Sequence, residues 1–443
     1  MLKNNKSVNI IGAGLAGCEA AYFLAEHGVC VRLFEMKSLK KTPAQKMEGF
    51  AELVCSNSLK SMQELSASGM LKKELEMLDC MLLDSAYKTQ VPSGNSLSVD
   101  REKFSEVITK KIKEHKNIEV IEKIVEEFDV DQPTIIATGP LCDDKLFKFI
   151  SSLIGDENSY FYDAIAPIVT LESIDMSRAF WANRYDQGET QDYLNCWLTK
   201  EEFELFYNEL IDAKQVELKS FEKLKVFEGC MPVEVLAKRG KRSLLFGPMK
   251  PVGLSKKVAG EKPCAIVQLR KENDEGSILN LVGFQTNLLF GEQKRVFSLI
   301  PALKNAEFVR YGTMHRNSYI NAPNCLNKYS QLKKYPNIFI AGQISGVEGY
   351  MESIASGLYS AINMLQYLKQ ENLQSLPSTT CLGAMINYIS ETNAIDFQPM
   401  NANYGIIHCE KDFADKQGKR QYMLENSLRE INKFKEIING KSI

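Results

Sequence analysis

Histidine is scarce in this 443-residue chain, with four in all, and the eleven cysteines form no Cys-x-x-Cys pair. Neither residue type recurs at metal-ligand spacing, so no metal site is expected. Scattered cysteines point to buried or reactive thiols in a reducing compartment, and against a disulfide framework. No stretch approaches the roughly 18 to 20 consecutive apolar residues that span a bilayer, and the chain has no repeat and no low-complexity tract. Leu15-Ala-Gly-Cys18, behind Lys3 and Lys6, imitates a lipoprotein cleavage site. Gly12 and Gly14 break the apolar run that such a signal needs, so a cytoplasmic protein with no membrane association is expected. Net charge is nearly absent as well. The balance of 54 Lys and Arg against 56 Asp and Glu leaves −2, which excludes a general nucleic-acid-coating role and leaves room for a local basic groove. At 44% hydrophobic and 25% charged, the chain has enough core-forming residues and enough length for two or three domains.

The first 35 residues hold the strongest pattern. Val8-Asn-Ile-Ile11 reads as an apolar strand, Gly12-Ala13-Gly14-Leu15-Ala16-Gly17 follows directly, and Cys18–Ala25 reads as a helix. In this dinucleotide-binding fingerprint the first glycine makes the tight turn and the second lets backbone approach a pyrophosphate. The third lets the helix pack closely on the strand. The helix start, with its free N–H groups and dipole, is an anion site. A second strand, Val29–Phe34, ends at Glu35, about 20 residues past the glycines, where an acid binds ribose hydroxyls. Strand, glycines, helix, strand and acid in this order are a far stronger signal than the glycines alone.

Residues 70–80 and 102–115 carry apolar positions at helical spacing, the second entered through Asp100-Arg101. Ile118–Ile121 and Thr134–Ala137 read as strands, and the latter runs into Thr138-Gly139-Pro140. An apolar strand followed by Ala-Thr-Gly recurs in two-dinucleotide-fold flavoproteins, where Gly139 would pass beneath the cofactor. Between about 165 and 320 the pattern changes to short strand-like runs at Ala166–Val169, Leu244–Phe246, Ala265–Leu269 and Ile278–Phe284, mixed with an acidic helix at 200–213. The α/β pattern returns at Asn337–Ala341, continues in the Gly-rich turn Gly342-Gln343-Ile-Ser-Gly346-Val-Glu-Gly349-Tyr350, and leads into a helix at 351–368 with small residues on its first turns. A charged helix is expected at 417–438. The expected fold is therefore α/β, with a Rossmann-like FAD-binding domain formed by residues 1–165 and 325–443 and an inserted α+β domain at 166–324.

Six segments carry a family resemblance: Phe50-Ala-Glu-Leu-Val-Cys55-Ser-Asn57-Ser58-Leu59, Phe227-Glu-Gly-Cys230-Met-Pro-Val-Glu234, Phe246-Gly-Pro-Met-Lys-Pro-Val-Gly253, Met314-His315-Arg316-Asn317, Gly342–Tyr350 and Phe397-Gln-Pro-Met-Asn-Ala-Asn403. Together and in this order they resemble the folate- and FAD-dependent RNA (uracil-5-)-methyltransferases, whose FAD fold is shared with the glucose-inhibited-division proteins. The resemblance covers nearly the whole chain and weakens at 60–95 and 143–165. It implies FAD in the N-terminal fold, 5,10-methylenetetrahydrofolate as carbon donor, NAD(P)H as reductant, and RNA as substrate. That RNA is the tRNA T-loop or a 23S rRNA uridine, with no obligate protein partner. By position it makes Cys55 and Cys230 the two catalytic cysteines and sets Tyr350 and His315 beside the flavin and the folate pterin.

The chemistry is coherent with those residues. Uracil C5 is a poor nucleophile until a thiolate adds at C6. A methylene carbon lacks one hydride relative to methyl, and a reduced flavin supplies it, whereas a sulfonium donor delivers a whole methyl and needs no flavin. Each residue has an ordinary rival role. Cys55 sits among Ser56, Asn57 and Ser58, too polar a neighbourhood for a core cysteine, and Cys230 lies in the turn-like Gly229-Cys-Met-Pro232. Glu234 reads equally as a surface acid or as a group that orients catalysis, and His315 as a satisfied loop histidine or a ligand. Lys238, Arg239, Lys241 and Arg242, with Lys250, Lys256 and Lys257 nearby, form either a solvated turn or a track for phosphates. The remaining cysteines read as small packing residues. Two other classes stay open: an FAD-dependent tRNA-modification partner of the glucose-inhibited-division type, which works with a GTPase, and a generic FAD oxidoreductase. The first lacks the Phe-Glu-Gly-Cys-Met-Pro segment; the second leaves the paired thiols and the basic turn without a role.

Overall fold

A computed structural model describes residues 7–42, 44–155, 159–164, 166–186, 190–216, 231–254, 262–273, 275–312, 314–392 and 397–438. Strand β1 (Ser7–Ile11), helix α1 (Leu15–Glu26) and strand β2 (Cys30–Glu35) follow one another as the fingerprint requires. β3 (Ser58–Ser61), α2 (Ala67–Met77), α3 (Met81–Lys88), β4 (Gln90–Val91) and β5 (Ser96–Val99) form a small unit with a three-stranded antiparallel sheet centred on β5. Helix α4 (Arg101–Glu114) begins at Asp100, whose carboxylate accepts from the N–H groups of Glu102 and Lys103 at 3.1 Å each. Strands β6 (Ile118–Glu122) and β7 (Thr134–Ile136) and helix α5 (Asp144–Ile154) complete this first part.

Strand β8 (Ser159–Ala164) leads out into the insert, formed by β9 (Ile168–Thr170), β10 (Ala179–Trp181), β11 (Tyr193–Leu198), α6 (Lys200–Asp212), α7 (Val233–Lys238), α8 (Lys241–Leu245), β12 (Ala265–Lys271), β13 (Ile278–Leu281), α9 (Phe290–Phe297) and β14 (Phe308–Arg310). β15 (Met314–Tyr319) leads back, paired antiparallel with β8. Then come α10 (Ala322–Cys325), β16 (Ile338–Ile340), α11 (Tyr350–Lys369), α12 (Cys381–Glu391) and α13 (Lys416–Ile438).

The first domain is built on a parallel sheet in the order β16-β7-β1-β2-β6, whose strands are buried on both faces and so read as unbroken apolar runs. The insert carries a six-stranded antiparallel sheet, β10-β11-β12-β13-β9-β14. This is the Rossmann-like α/β domain with an inserted α+β domain read from the sequence. Each domain has its own buried cluster. That of the insert runs from Val169 to Ala306, whereas Tyr319, Ile320 and Ala322 pack in the first. The chain thus re-enters the first domain along β15, ahead of residue 324, where the sequence pattern put the return.

One strand expectation fails. Leu244 and Leu245 end helix α8, and Phe246 lies just beyond it, 79% exposed. Three apolar residues in a row do not distinguish a strand from a helical turn, and Gly240, at φ 116°, starts a helix here.

Close packing under the site depends on two glycines. A Cβ on Gly17 would lie 1.8 Å from the Gly12 carbonyl oxygen, and one on Gly357 would lie 2.3 Å from that of Ala16, so α1 sits directly against the fingerprint turn and against α11. Two buried acids cap helices from a distance. Glu19 accepts from Met81 and Leu82 N–H at the start of α3, and Glu74 from Cys381 and Leu382 N–H at the start of α12. Burial pushes the Glu74 carboxyl up to about 7. Among the described residues no helix is long and apolar enough to cross a membrane.

Candidate active site

A cleft of about 1010 Å³, counted to its open mouth, lies outside the carboxyl ends of the parallel strands, where open α/β sheets bind ligands. Gly12, Gly14, Leu15, Ala16, Glu35, Gly139, Gly342, Gln343 and Tyr350 all line it. Ala13 and Gly17 stand behind the wall: Ala13 N–H donates to Glu35 at 2.7 Å, and Gly17 packs on Gly12. A Cβ on Gly14 or on Gly139 would meet nothing within 4 Å, so both glycines front open space. Helix α1 has no side-chain cap and no acid in its first turn, which leaves its leading N–H groups for an anion. The Thr42 hydroxyl, also in the lining, is buried with no partner among the described residues. A bare helix start behind two open glycines fits the pyrophosphate of a dinucleotide such as FAD.

Glu35 closes the far end of β2. Its two oxygens accept from Ala13 N–H and from Met36 and Lys37 N–H, the latter two at 2.9 Å each, which fixes the carboxylate at the cleft wall. From there the chain runs to Cys55 through a loop pinned at several points. Lys37 pairs with Glu52 at 3.0 Å with both side chains buried, Ala51 N–H donates to the Ala13 carbonyl, and Phe50 is held by Ser105 and Thr109 of α4. Cys55 arrives half-buried beside Tyr350. The tyrosine hydroxyl accepts from the N–H groups of Cys55 at 2.6 Å and Ser56 at 3.1 Å, and burial holds the phenol well above its ordinary value.

Four charged side chains grip the same loop. Arg101 of α4 donates to the carbonyls of Leu53 (2.9 Å) and Cys55 (3.3 Å), and Arg310 of β14 donates to the Cys55 carbonyl at 3.2 Å. Glu272 pairs with Arg101 at 2.6 Å. Arg270 of β12 donates to Asn57 and Ser56. Burial and the neighbouring charge of Arg101 pull the Arg310 guanidinium down to about 10. Two guanidiniums share one carboxylate here, so positive charge is left over beside the thiol-bearing loop, a setting that favours a reactive thiolate. Arg270, Glu272 and Arg310 come from the insert and Arg101 from the first domain; the Cys55 loop is where the two domains meet.

The other expected residues fall elsewhere. Cys230 lies outside the described residues, as do Lys256 and Lys257. His315 is placed by its backbone in β15, opposite Asp163, and its side chain is outside the description. Glu234 is fully buried, accepting from Asn287 N–H at 2.7 Å and the Thr286 hydroxyl at 2.8 Å; burial raises its carboxyl. That resolves the earlier choice against a surface acid. Lys238, Arg239, Lys241 and Arg242 are exposed across the end of α7 and the start of α8, with Lys241 bound to Glu204 and 5.2 Å over the Tyr207 ring. Among the cysteines read as packing residues, Cys18, Cys80, Cys196, Cys325 and Cys381 are buried. Cys142 instead lines the cleft, its thiol pushed up to about 12 by burial. The sequence did not single out Arg101, Arg270, Glu272 and Arg310. The only local signal was Arg101 after a helix-capping aspartate, and that reads as helix entry.

Residues 7–372 match the family described as Glucose inhibited division protein A. Proteins named methylenetetrahydrofolate--tRNA-(uracil-5-)-methyltransferase TrmFO are similar over nearly the whole chain. The one from Acetivibrio thermocellus is 51% identical over 98% of this chain and 99% of its own length. The one from Fusobacterium nucleatum is 50% identical with the same coverage. Among solved structures, Aquifex aeolicus GidA in its form I crystal superposes with a TM-score of 0.71 at 15% identity, covering 98% of this chain and 76% of that one. At that identity the likeness is one of fold.

Proposed function

Since the chain belongs to the methylenetetrahydrofolate–tRNA-(uracil-5-)-methyltransferase family, we infer that its cleft and its Cys55 loop serve one reaction, the methylation of a tRNA uridine at C5 with carbon from methylenetetrahydrofolate. It is a folate- and FAD-dependent enzyme. The observation that carries the assignment of parts is the join at Tyr350: a residue of the dinucleotide cleft holds the peptide of the thiol. The partner-protein reading and the generic oxidoreductase reading lack support from relatives that share half the residues over the full chain.

When bound, reduced FAD supplies the hydride that turns a methylene carbon into methyl. Gly14 and the start of α1 hold the pyrophosphate, and Glu35 takes the ribose hydroxyls. Gly139, Gly342 and Gln343 line the floor against which the ring system lies. Tyr350 keeps Cys55 at the cleft edge, and Arg101 and Arg310 add the positive charge that a thiolate needs. One of the two thiols adds to uracil C6, which makes C5 nucleophilic, and the other serves as base or guards the carbon being transferred. Cys230 is the preferred attacker, because it comes from the insert and approaches across the domain cleft. His315 is assigned to the pterin, NAD(P)H to the reduction of the flavin, and Lys238, Arg239, Lys241 and Arg242 to RNA phosphates. The cytoplasm supplies all of these reactants.

The test is to incubate the enzyme with bulk tRNA and bulk rRNA that lack the modification, with labelled methylenetetrahydrofolate and reduced nicotinamide. Label should enter tRNA as 5-methyluridine. Label confined to rRNA, or methyl arriving from S-adenosylmethionine alone, overturns the reading.

A further inference from the structure

A ladder of aromatic rings runs outward on the insert from the residues that hold Cys55. Its foot is on β14, where Arg310 reaches the Cys55 carbonyl. Phe308, two residues earlier on the same strand, stacks on Tyr311 with ring centroids 5.1 Å apart and planes 10° apart. Tyr311 stacks in turn on Phe290 at 5.1 Å and 19°. Phe290, the outermost rung, is 56% exposed. A single exposed phenylalanine is ordinary. Three near-parallel rings, the inner two half-buried and the last open to solvent, are a built surface that extends the site outward.

The charge around it suits a polyanion. Phe290 opens α9, and Lys294, one turn further and so on the same helix face, is exposed. Lys214 is exposed close by, its carbonyl accepting from Leu289 N–H. The nearby acids are matched: Glu292 pairs with Arg295 and accepts from Lys214 N–H, and Glu209 pairs with Arg295.

We propose that Phe290 is a stacking platform for an unstacked base of the tRNA substrate, with Lys294 meeting an adjacent phosphate. Proteins that read RNA loops splay bases onto aromatic side chains, because every base has a π-face and the loop no longer stacks on itself. A target uridine that must reach a thiol leaves its neighbours unstacked, and the ladder gives one of them a surface continuous with the Cys55 clamp. The proposal rests on the tRNA reading above.

The test measures tRNA binding by the FAD-loaded enzyme. Phe290→Ala should weaken tRNA affinity roughly 5- to 150-fold, with flavin content, the KM for methylenetetrahydrofolate and the slope of affinity against salt unchanged. Phe290→Trp should keep the affinity, and tRNA should quench its added fluorescence. Val309→Ala, an exposed position (57%) between Phe308 and Arg310 on the strand, should bind tRNA as the parent does. A Phe290→Ala enzyme with parental tRNA affinity overturns the platform, as does one whose defect is a raised KM for the folate with tRNA affinity intact, since that would give the ring to the folate. If the unaltered enzyme binds no tRNA, the tRNA reading itself fails.

Discussion

Replacing the fingerprint glycines one at a time should separate folding from cofactor binding. Gly14 has φ −78° and ψ −168°, open to any residue, and its Cβ would meet nothing within 4 Å. Gly14→Ala therefore costs the apoprotein about 1 kcal/mol at most, the difference between glycine and alanine at a helix N-cap. Gly17 differs. Its Cβ would sit 1.8 Å from the Gly12 carbonyl oxygen, so α1 would have to move by more than an ångström in close-packed surroundings. Overpacking of that kind costs about 1–3 kcal/mol and often more. The cofactor adds a second difference. FAD present at about 100 times its Kd stabilises the parent by about 2.7 kcal/mol, and a side chain at position 14 occupies the space through which the pyrophosphate approaches. Thermal unfolding of stripped and FAD-supplied proteins reads both effects. Stripped Gly14→Val should melt near the stripped parent and gain nothing from FAD, while Gly17→Ala should melt lower even when stripped. A Gly14→Val protein that purifies yellow with a full complement of flavin would refute the reasoning, and so would a stripped Gly14→Ala less stable than stripped Gly17→Ala.

Cys55→Ala should keep bound FAD and lose methylation; full methylation by that variant removes the thiol from the chemistry. On RNA containing 5-fluorouridine, where fluorine blocks release, a covalent adduct should form only in the variant, Cys55→Ala or Cys230→Ala, that retains the attacking thiol, and we expect it in Cys55→Ala. Arg310→Met, which leaves the Cys55 carbonyl and Glu272 with one guanidinium in place of two, should cut turnover at least tenfold at unchanged flavin content, with Arg310→Lys partly restoring it; equal turnover in all three proteins refutes the clamp. Changing Lys238, Arg239, Lys241 and Arg242 together to Ala should weaken tRNA binding and reduce its salt slope by up to about 3, since each freed phosphate contributes about 0.9 and Lys241 is already matched by Glu204; an unchanged slope returns these residues to plain solvated surface. Glu74 titrates near 7 in the fold against an ordinary value of 4.5, so between those limits the folded chain holds a proton that the unfolded chain has lost. Stability should therefore fall as pH rises through that window, by up to about 3 kcal/mol, and Glu74→Gln should flatten that part of the melting curve.

The parts of the site that lie close together in sequence were legible, because local chemistry dictates them. Strand, glycines, helix and Glu35 span 29 residues, and each position answers a steric or electrostatic need of the turn itself. The surroundings of Cys55 were not legible. Arg101 reaches it across 46 residues, Arg310 across 255 and Tyr350 across 295, and a lone arginine in a strand carries no mark of the carbonyl it will meet. Tyr350 was expected at the cofactor because it ends a Gly-rich turn, and it does line the cleft. Its hydrogen bonds to the Cys55 loop come from the tertiary fold alone. Glu234 shows the same limit: periodicity left it open, and burial against Asn287 and Thr286 placed it. Short apolar runs mislead for a simpler reason, as Leu244–Phe246 did, since both periods fit three residues.

The central claim is that the methyl carbon comes from folate one hydride short and is completed at the cleft. Methylenetetrahydrofolate carrying deuterium at both methylene positions, supplied with unmodified tRNA and reduced nicotinamide, tests it by the mass of the methyl group on the product uridine. The account predicts a methyl that keeps both deuterium atoms and gains one unlabelled hydrogen. A methyl without deuterium, with S-adenosylmethionine restoring or donating it whole, would contradict the account.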